Sequence, residues 1–169
     1  MNSMADYFEA KAIMQNAKLK HRAAKGLSEK FISKIELRLK TRLPQSYRKY
    51  LSDFGYLVVE GNEFYGEVER EEYGGGLPSF VWATENARKN SEVGANELVI
   101  KSSGYGPIFT IDCAKHDKNG ECPVYLVSSH YDAETDTVVY TRKKEADSFA
   151  EFFKNEIKMI IDSHNEQLS

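Results

Sequence analysis

Two cysteines, four histidines and a dense run of glutamates are the residues of this chain with most chemistry to offer. Cys113-x-x-His116, with Cys122 and flanking Asp112 and Asp117, supplies ligand types that zinc accepts. A structural zinc site needs four ligands in paired spacings, and one Cys-x-x-His pair does not make one. The thiols read as two unconnected cysteines flanking a turn, with no metal. A cross-strand disulfide is geometrically conceivable but disfavoured in a reducing compartment. Ser128-Ser129-His130 sets hydroxyls beside an imidazole. Neighbours on a strand point to opposite faces, however, and hydrolytic triads are assembled from distant positions. His21, His116 and His164 lie among polar residues and read as solvated. Gly74-Gly75-Gly76 lacks the Lys-Ser/Thr and strand–helix context of a phosphate loop, so it reads as a flexible connection. No catalytic residue, no cofactor and no metal are expected.

The acidic run has binding chemistry. Residues 57–76 hold six glutamates and one arginine. Glu60, Glu63, Glu67, Glu69, Glu71 and Glu72, with Tyr65 and Tyr73, are the predicted partner-binding residues, all expected outside the core. Tyrosine offers apolar area with a polar tip and is enriched at interfaces. A folded acidic surface can fill a Lys/Arg groove and associate quickly under electrostatic steering. The alternative is a solvated face. Trp82, the single tryptophan, reads as a core residue beside Phe80.

The elements that would position these residues follow from periodicity. The chain's 169 residues suit one domain, long enough to bury a core without disulfide or metal. No stretch reaches the roughly 20 apolar residues of a membrane span. The first 25 residues lack a signal-peptide pattern, so a cytoplasmic location is expected. Net charge is −3, yet residues 1–50 carry 12 Lys and Arg against 4 Asp and Glu. That basic third reads as exposed helix faces, with nucleic-acid binding as the alternative.

A helix is predicted over 3–19. A second starts at the Ser28 cap with a stripe of Phe31, Ile32, Ile35 and Leu39. A third runs from Pro44 to Asp53 and is stopped by Gly55. Strands are predicted at 56–59, 63–66, 97–101, 107–113, 123–128 and 137–140, with a short helix capped by Thr84 between them. Ser148 and Glu151 form a capping box for a closing helix. Helices, then hairpin-connected strands, then a helix imply a single α+β domain with a largely antiparallel sheet of five or six strands.

The stretch from Ile35-Glu36 through Leu39, Leu43-Pro44 and Tyr47 to Leu51 resembles the opening motif of the SUKH superfamily. These are bacterial immunity proteins related to a fungal cell-wall-synthesis regulator, with the pattern I-E-x-x-L-G-x-x-L-P-x-x-Y-x-x-F-L. Lys40 stands where the pattern has glycine. Glu63-Phe64-Tyr65-Gly66 and Ser148-Phe149-Ala150-Glu151-Phe152 are similar to later family features. The resemblance spans about 28–160, leaving 1–27 as a helical extension and 164–169 as a frayed tail. It implies a non-catalytic protein that binds and blocks a cognate toxin domain, commonly a nuclease, without contacting nucleic acid or membrane itself. The rival is an intracellular scaffold or regulator of the same fold.

Overall fold

The computed structural model of the chain describes residues 3–71 and 78–169. The first third forms three helices: α1 (Ser3–Asn16), α2 (Glu29–Leu39) and α3 (Gln45–Phe54). Ser28 caps α2, its Oγ accepting the Phe31 N–H at 3.2 Å, and the helix buries Ile32, Ile35 and Leu39. It ends in a Schellman arrangement. The Thr41 N–H donates to the Glu36 carbonyl and the Lys40 N–H to that of Leu37, with Lys40 left-handed at φ 51°. Pro44 precedes α3 and provides no side-chain cap. The buried Glu121 carboxylate serves instead, accepting from the Ser46 N–H at 2.9 Å and the Ser46 hydroxyl at 2.7 Å.

The described residues hold seven strands in chain order: β1 (His21–Ala23), β2 (Leu57–Val59), β3 (Asn62–Phe64), β4 (Glu97–Ser102), β5 (Ile108–Asp112), β6 (Val124–Asp132) and β7 (Thr137–Ala146). They divide into two antiparallel sheets, β1-β2-β3 and β4-β5-β6-β7, where one sheet of five or six strands was expected. The additional strand is β1, recruited from the basic 20–25 segment by pairing with β2. The two sheets nearly join, since the Tyr65 N–H donates to the Ile100 carbonyl at 2.9 Å.

The larger sheet lies between helices. Ala87 of α4 (Phe80–Lys89) packs with Val99 on one face. Phe152 of α5 (Phe149–Leu168) meets Phe109 at 4.9 Å between ring centroids on the other. Ser148 caps α5 through the Glu151 N–H, while the Glu151 carboxylate accepts from Asp147 N–H. α5 continues through Leu168, so residues 164–168 are helical rather than frayed.

The 1–27 segment shares this core. Tyr7, Ala10, Met14 and Leu19 are buried in the same cluster as Tyr47, Tyr50, Phe64, Phe80, Phe149 and Phe153. The two α3 tyrosines bury their rings and satisfy their hydroxyls on the next layer. Tyr47 donates to the Tyr65 carbonyl and Tyr50 to that of Phe64, both at 2.8 Å. Each bond fixes the backbone that leads into the acidic segment.

Lys40 is a testable element of this fold. A non-glycine residue in left-handed geometry carries a cost that glycine escapes. Lys40→Gly is expected to raise the unfolding free energy by about 1 kcal/mol, read as a higher urea midpoint at unchanged slope.

Candidate functional site

The acidic segment is built around Gly66. The Gly66 N–H donates to the Pro78 carbonyl, its own carbonyl accepts from Phe80 N–H, and the Glu67 N–H donates to the Gly55 carbonyl. Residues 65–67 thus run between the end of α3 and the start of α4. A Cβ on Gly66 would lie 1.6 Å from the Gly55 carbonyl oxygen, so this backbone approach tolerates glycine alone.

Glu67 is the largest departure from the expected exposed face. It is 1% exposed. Its carboxylate accepts from the Ser79 hydroxyl, the Val68 N–H at 3.0 Å and Arg70 Nη2 at 3.3 Å. The pattern of alternating glutamates gave no sign of this, because the partner Ser79 is contributed by the start of α4. Glu67 therefore supports the segment from beneath.

The other glutamates separate. Glu60 sits at the β2–β3 turn, accepting from the Lys20 N–H at 2.6 Å, with His164 Nδ1 at 3.9 Å. Glu63 is exposed on β3. Strand pairing aligns Arg22 with Val58 and Val58 with Glu63, so β1 brings a cation to the same sheet face. Tyr65 is half-buried. Glu69 lies beyond β3, where it accepts from the Ser28 N–H at 2.6 Å. That bond at the start of α2, with Lys25 and Lys34 nearby, holds its carboxyl below the ordinary range. Glu71 is exposed. Glu72, Tyr73 and Gly74-Gly75-Gly76 lie outside the described residues.

Trp82 corrects the core expectation. The helix following residue 78 starts at Ser79, whose Oγ accepts from the Trp82 N–H at 3.1 Å, rather than at Thr84. Thr84 is buried inside α4 and accepts from the Val99 N–H at 2.9 Å. The earlier start rotates Trp82 outward to 51% exposure, while Phe80 and Val81 are buried. Ser79 thus ties three features together: the buried Glu67, the helix cap and the exposed indole. The Pro78-Ser79 step before Phe80, Val81 and Ala87 was the available signal for this start.

Four cations of the basic first third enter internal ion pairs. Lys11 and Lys49 hold Asp53, Arg38 holds Glu85, and Arg48 holds Glu29 and Glu36. Burial raises the Asp53 carboxyl, but hydrogen bonds from Lys49, Tyr7 and Lys11 outweigh it and leave its pKa lowered.

The remaining candidates do not assemble. Cys113 and Cys122 are buried free thiols. Their mutual hydrogen bond and burial push the Cys113 pKa up, which opposes thiolate chemistry. His116 is directed elsewhere, its Nε2 lying 3.2 Å from the Arg42 carbonyl. Ser128, Ser129 and His130 follow one another along β6. Among the described residues, no group of three or more His, Cys, Asp or Glu could hold a metal ion. A cleft of about 190 Å³ is lined by Glu60, Asn62, Glu156, Met159 and His164. Beneath it Lys101 lies 3.7 Å from Glu156 and 5.5 Å from the Phe64 ring centroid, a structural ion pair under an aromatic ring. No helix among the described residues is long and apolar enough to cross a membrane.

The cysteines give a direct expectation. Both thiols should resist an alkylating reagent in the native chain. Both should react, without reductant, once the chain is denatured. Non-reducing mass spectrometry reads the count, and a missing adduct after denaturation would establish a disulfide instead.

The domain is α+β, and its described surface carries exposed carboxylates and a half-exposed indole. The family model SUKH_6, described as SMI1-KNR4 cell-wall, matches residues 29–153. The chain belongs to this family. Lys40 occupies the left-handed C-terminal position of α2, which accounts physically for the motif's preference for glycine there.

Proposed function

We propose that this chain is an immunity protein that binds a cognate bacterial toxin domain, of nuclease type, and occludes its active site. The observation that carries this reading is Trp82, half-exposed at the start of α4 and joined through Ser79 to the segment bearing Glu69 and Glu71. A large aromatic side chain on the free surface is the kind of anchor that dominates interface hot spots. A nuclease carries Lys and Arg for phosphates, and acidic side chains at the rim complement such a groove.

Within this reading Glu63, Glu69 and Glu71 act at the rim, with Glu72 and Tyr73 continuing the same segment. Glu60 and Tyr65 flank it, and Glu67 keeps its place beneath. The family match supports the protein-binding class; the nuclease partner, the cytoplasmic setting and the absence of catalysis are parts of the proposal.

The test is co-expression with the candidate toxin domain, followed by binding kinetics at two salt concentrations. Survival of the co-expressing cells and a salt-sensitive on-rate are expected. Glu63→Lys, Glu69→Lys and Glu71→Lys together should slow association, at about 0.2–1 kcal/mol for each exposed rim pair. Unchanged kinetics in a folded triple variant would remove the acidic segment from the interface. A tight complex that leaves the cells unprotected would favour a scaffold role.

A further inference from the structure

The β6–β7 hairpin extends beyond its sheet. β5 pairs with β6 only over Val124–Val127, so Ser128–Asp132 have β7 as their single partner strand. The result is a two-stranded ribbon, an arrangement that is marginal in water without further packing. Its two large apolar side chains, Tyr131 and Val138, sit opposite each other on one face at 63% and 53% exposure. β7 is also the edge of its sheet and runs for ten residues. Among the described residues, no backbone hydrogen bond outside its ladder with β6 involves Thr137–Ala146.

Protein edges of this length are normally blunted by charge placed along the strand. Here the charge is segregated instead. The turn carries Asp132, Glu134 and Asp136; the middle, Thr137-Val138-Val139-Tyr140-Thr141, is uncharged and rich in β formers; Arg142, Lys143 and Lys144 follow. Such a strand is self-complementary when antiparallel. A two-fold axis at Val139 sets the uncharged stretch against itself. It brings the acidic turn of each copy, residues 133–136, beside the Arg142–Lys144 end of the other, and sets Val138 opposite Tyr140 on the face that holds Tyr131. Opposite charges and apolar pairs across adjacent strands are both favourable. The symmetry is that of an isologous dimer. Arg142 is committed within its own chain to Glu97 at 2.5 Å. Lys143 and Lys144 are mainly exposed and are held by a half-buried Glu145 and an exposed Asp147; pairs with so much solvent at one or both ends are weak.

We infer that two copies of this chain associate through their β7 edges, joining two four-stranded sheets into one of eight strands. The proposal is independent of the toxin reading, since it uses neither Trp82 nor the acidic segment.

The experiment is sedimentation equilibrium of the full chain and of two charge variants. Glu134→Lys with Thr135→Lys puts two lysines at the tip of the turn and cancels its net negative charge, while leaving the turn-forming Asp132 and Asp136 in place. Lys143→Glu with Lys144→Glu makes the other end negative. The parent chain is expected to dimerise with rising concentration. Each variant alone should be monomeric at the same concentrations, and an equimolar mixture should recover the dimer as a heterodimer. Recovery on mixing requires that both variants fold, so misfolding cannot imitate the expected result. Amide exchange of Thr137–Thr141 in the unmodified chain gives a second readout, because protection there should rise with concentration. A parent that stays monomeric with concentration-independent exchange overturns the proposal. So does a dimer indifferent to both charge variants, or a mixture of folded variants that remains monomeric.

Discussion

Gly66→Ala is expected to remove much of the stability of the native fold. The added methyl would be placed 1.6 Å from the Gly55 carbonyl oxygen and 2.6 Å from its carbon. The obstacle is backbone, so no side-chain rotation relieves it. The backbone bonds made by Gly66 N–H, Gly66 carbonyl and Glu67 N–H would have to lengthen or break together. Overpacking costs about 1–3 kcal/mol and each net hydrogen bond about 1 kcal/mol. The sum exceeds about 4 kcal/mol, a large part of a domain's total stability of about 5–15 kcal/mol. Urea unfolding and near-ultraviolet circular dichroism give the readout. Gly61→Ala is the comparison: it meets no atom within 4 Å but sits at φ 81°, so it should cost about 1 kcal/mol through backbone strain. A Gly66→Ala chain as stable as the Gly61→Ala chain would mean that residues 55, 66 and 78–80 do not cross as closely as described.

Trp82→Ala should have the largest effect on partner binding while sparing the fold. Half of the indole is in water in the free chain. Its N–H to Ser79 Oγ cap uses backbone and survives the substitution. A truncated aromatic hot spot costs about 2–4 kcal/mol, so the dissociation constant should rise about thirtyfold to a thousandfold. The loss should appear mainly in the off-rate. Substituting the rim glutamates should instead act on the on-rate and its salt dependence. Trp82→Phe should retain part of the affinity because it keeps an aromatic anchor. An affinity unchanged by Trp82→Ala in a folded chain would place the anchor elsewhere.

Local signals in the sequence account for much of the architecture. Ser28 and Ser148 cap their helices, Gly55 ends α3, and the Phe31, Ile32, Ile35, Leu39 stripe faces inward apart from a partly exposed Phe31. Each depends on residues within about two turns, where spacing is informative. What escaped detection depends on distant partners. β1 is three residues long with every side chain exposed, so it has no apolar alternation to reveal it. Its pairing with β2 nevertheless places Arg22 on the same face as Glu63, offsetting the local excess of acid. Glu67 has the same spacing as its exposed neighbours and is buried only because Ser79 meets it. The sequence reading capped this helix at Thr84 and read Trp82 as core, whereas α4 starts earlier, at the Ser79 cap, and leaves the indole outside. The charge segregation of β7 was legible, but the sequence reading ended the strand at Tyr140, before the basic half.

The central claim is occlusion of a toxin domain, and the most direct measurement is a titration of that domain's activity. The purified toxin domain, held well above the dissociation constant, is mixed with increasing amounts of the chain and its nuclease turnover recorded. The account predicts a linear fall to zero at one chain per toxin domain, with the Trp82→Ala chain giving a shallow curve. A complex seen by light scattering that retains full nuclease activity would contradict occlusion, and no complex at all would contradict the proposed partner.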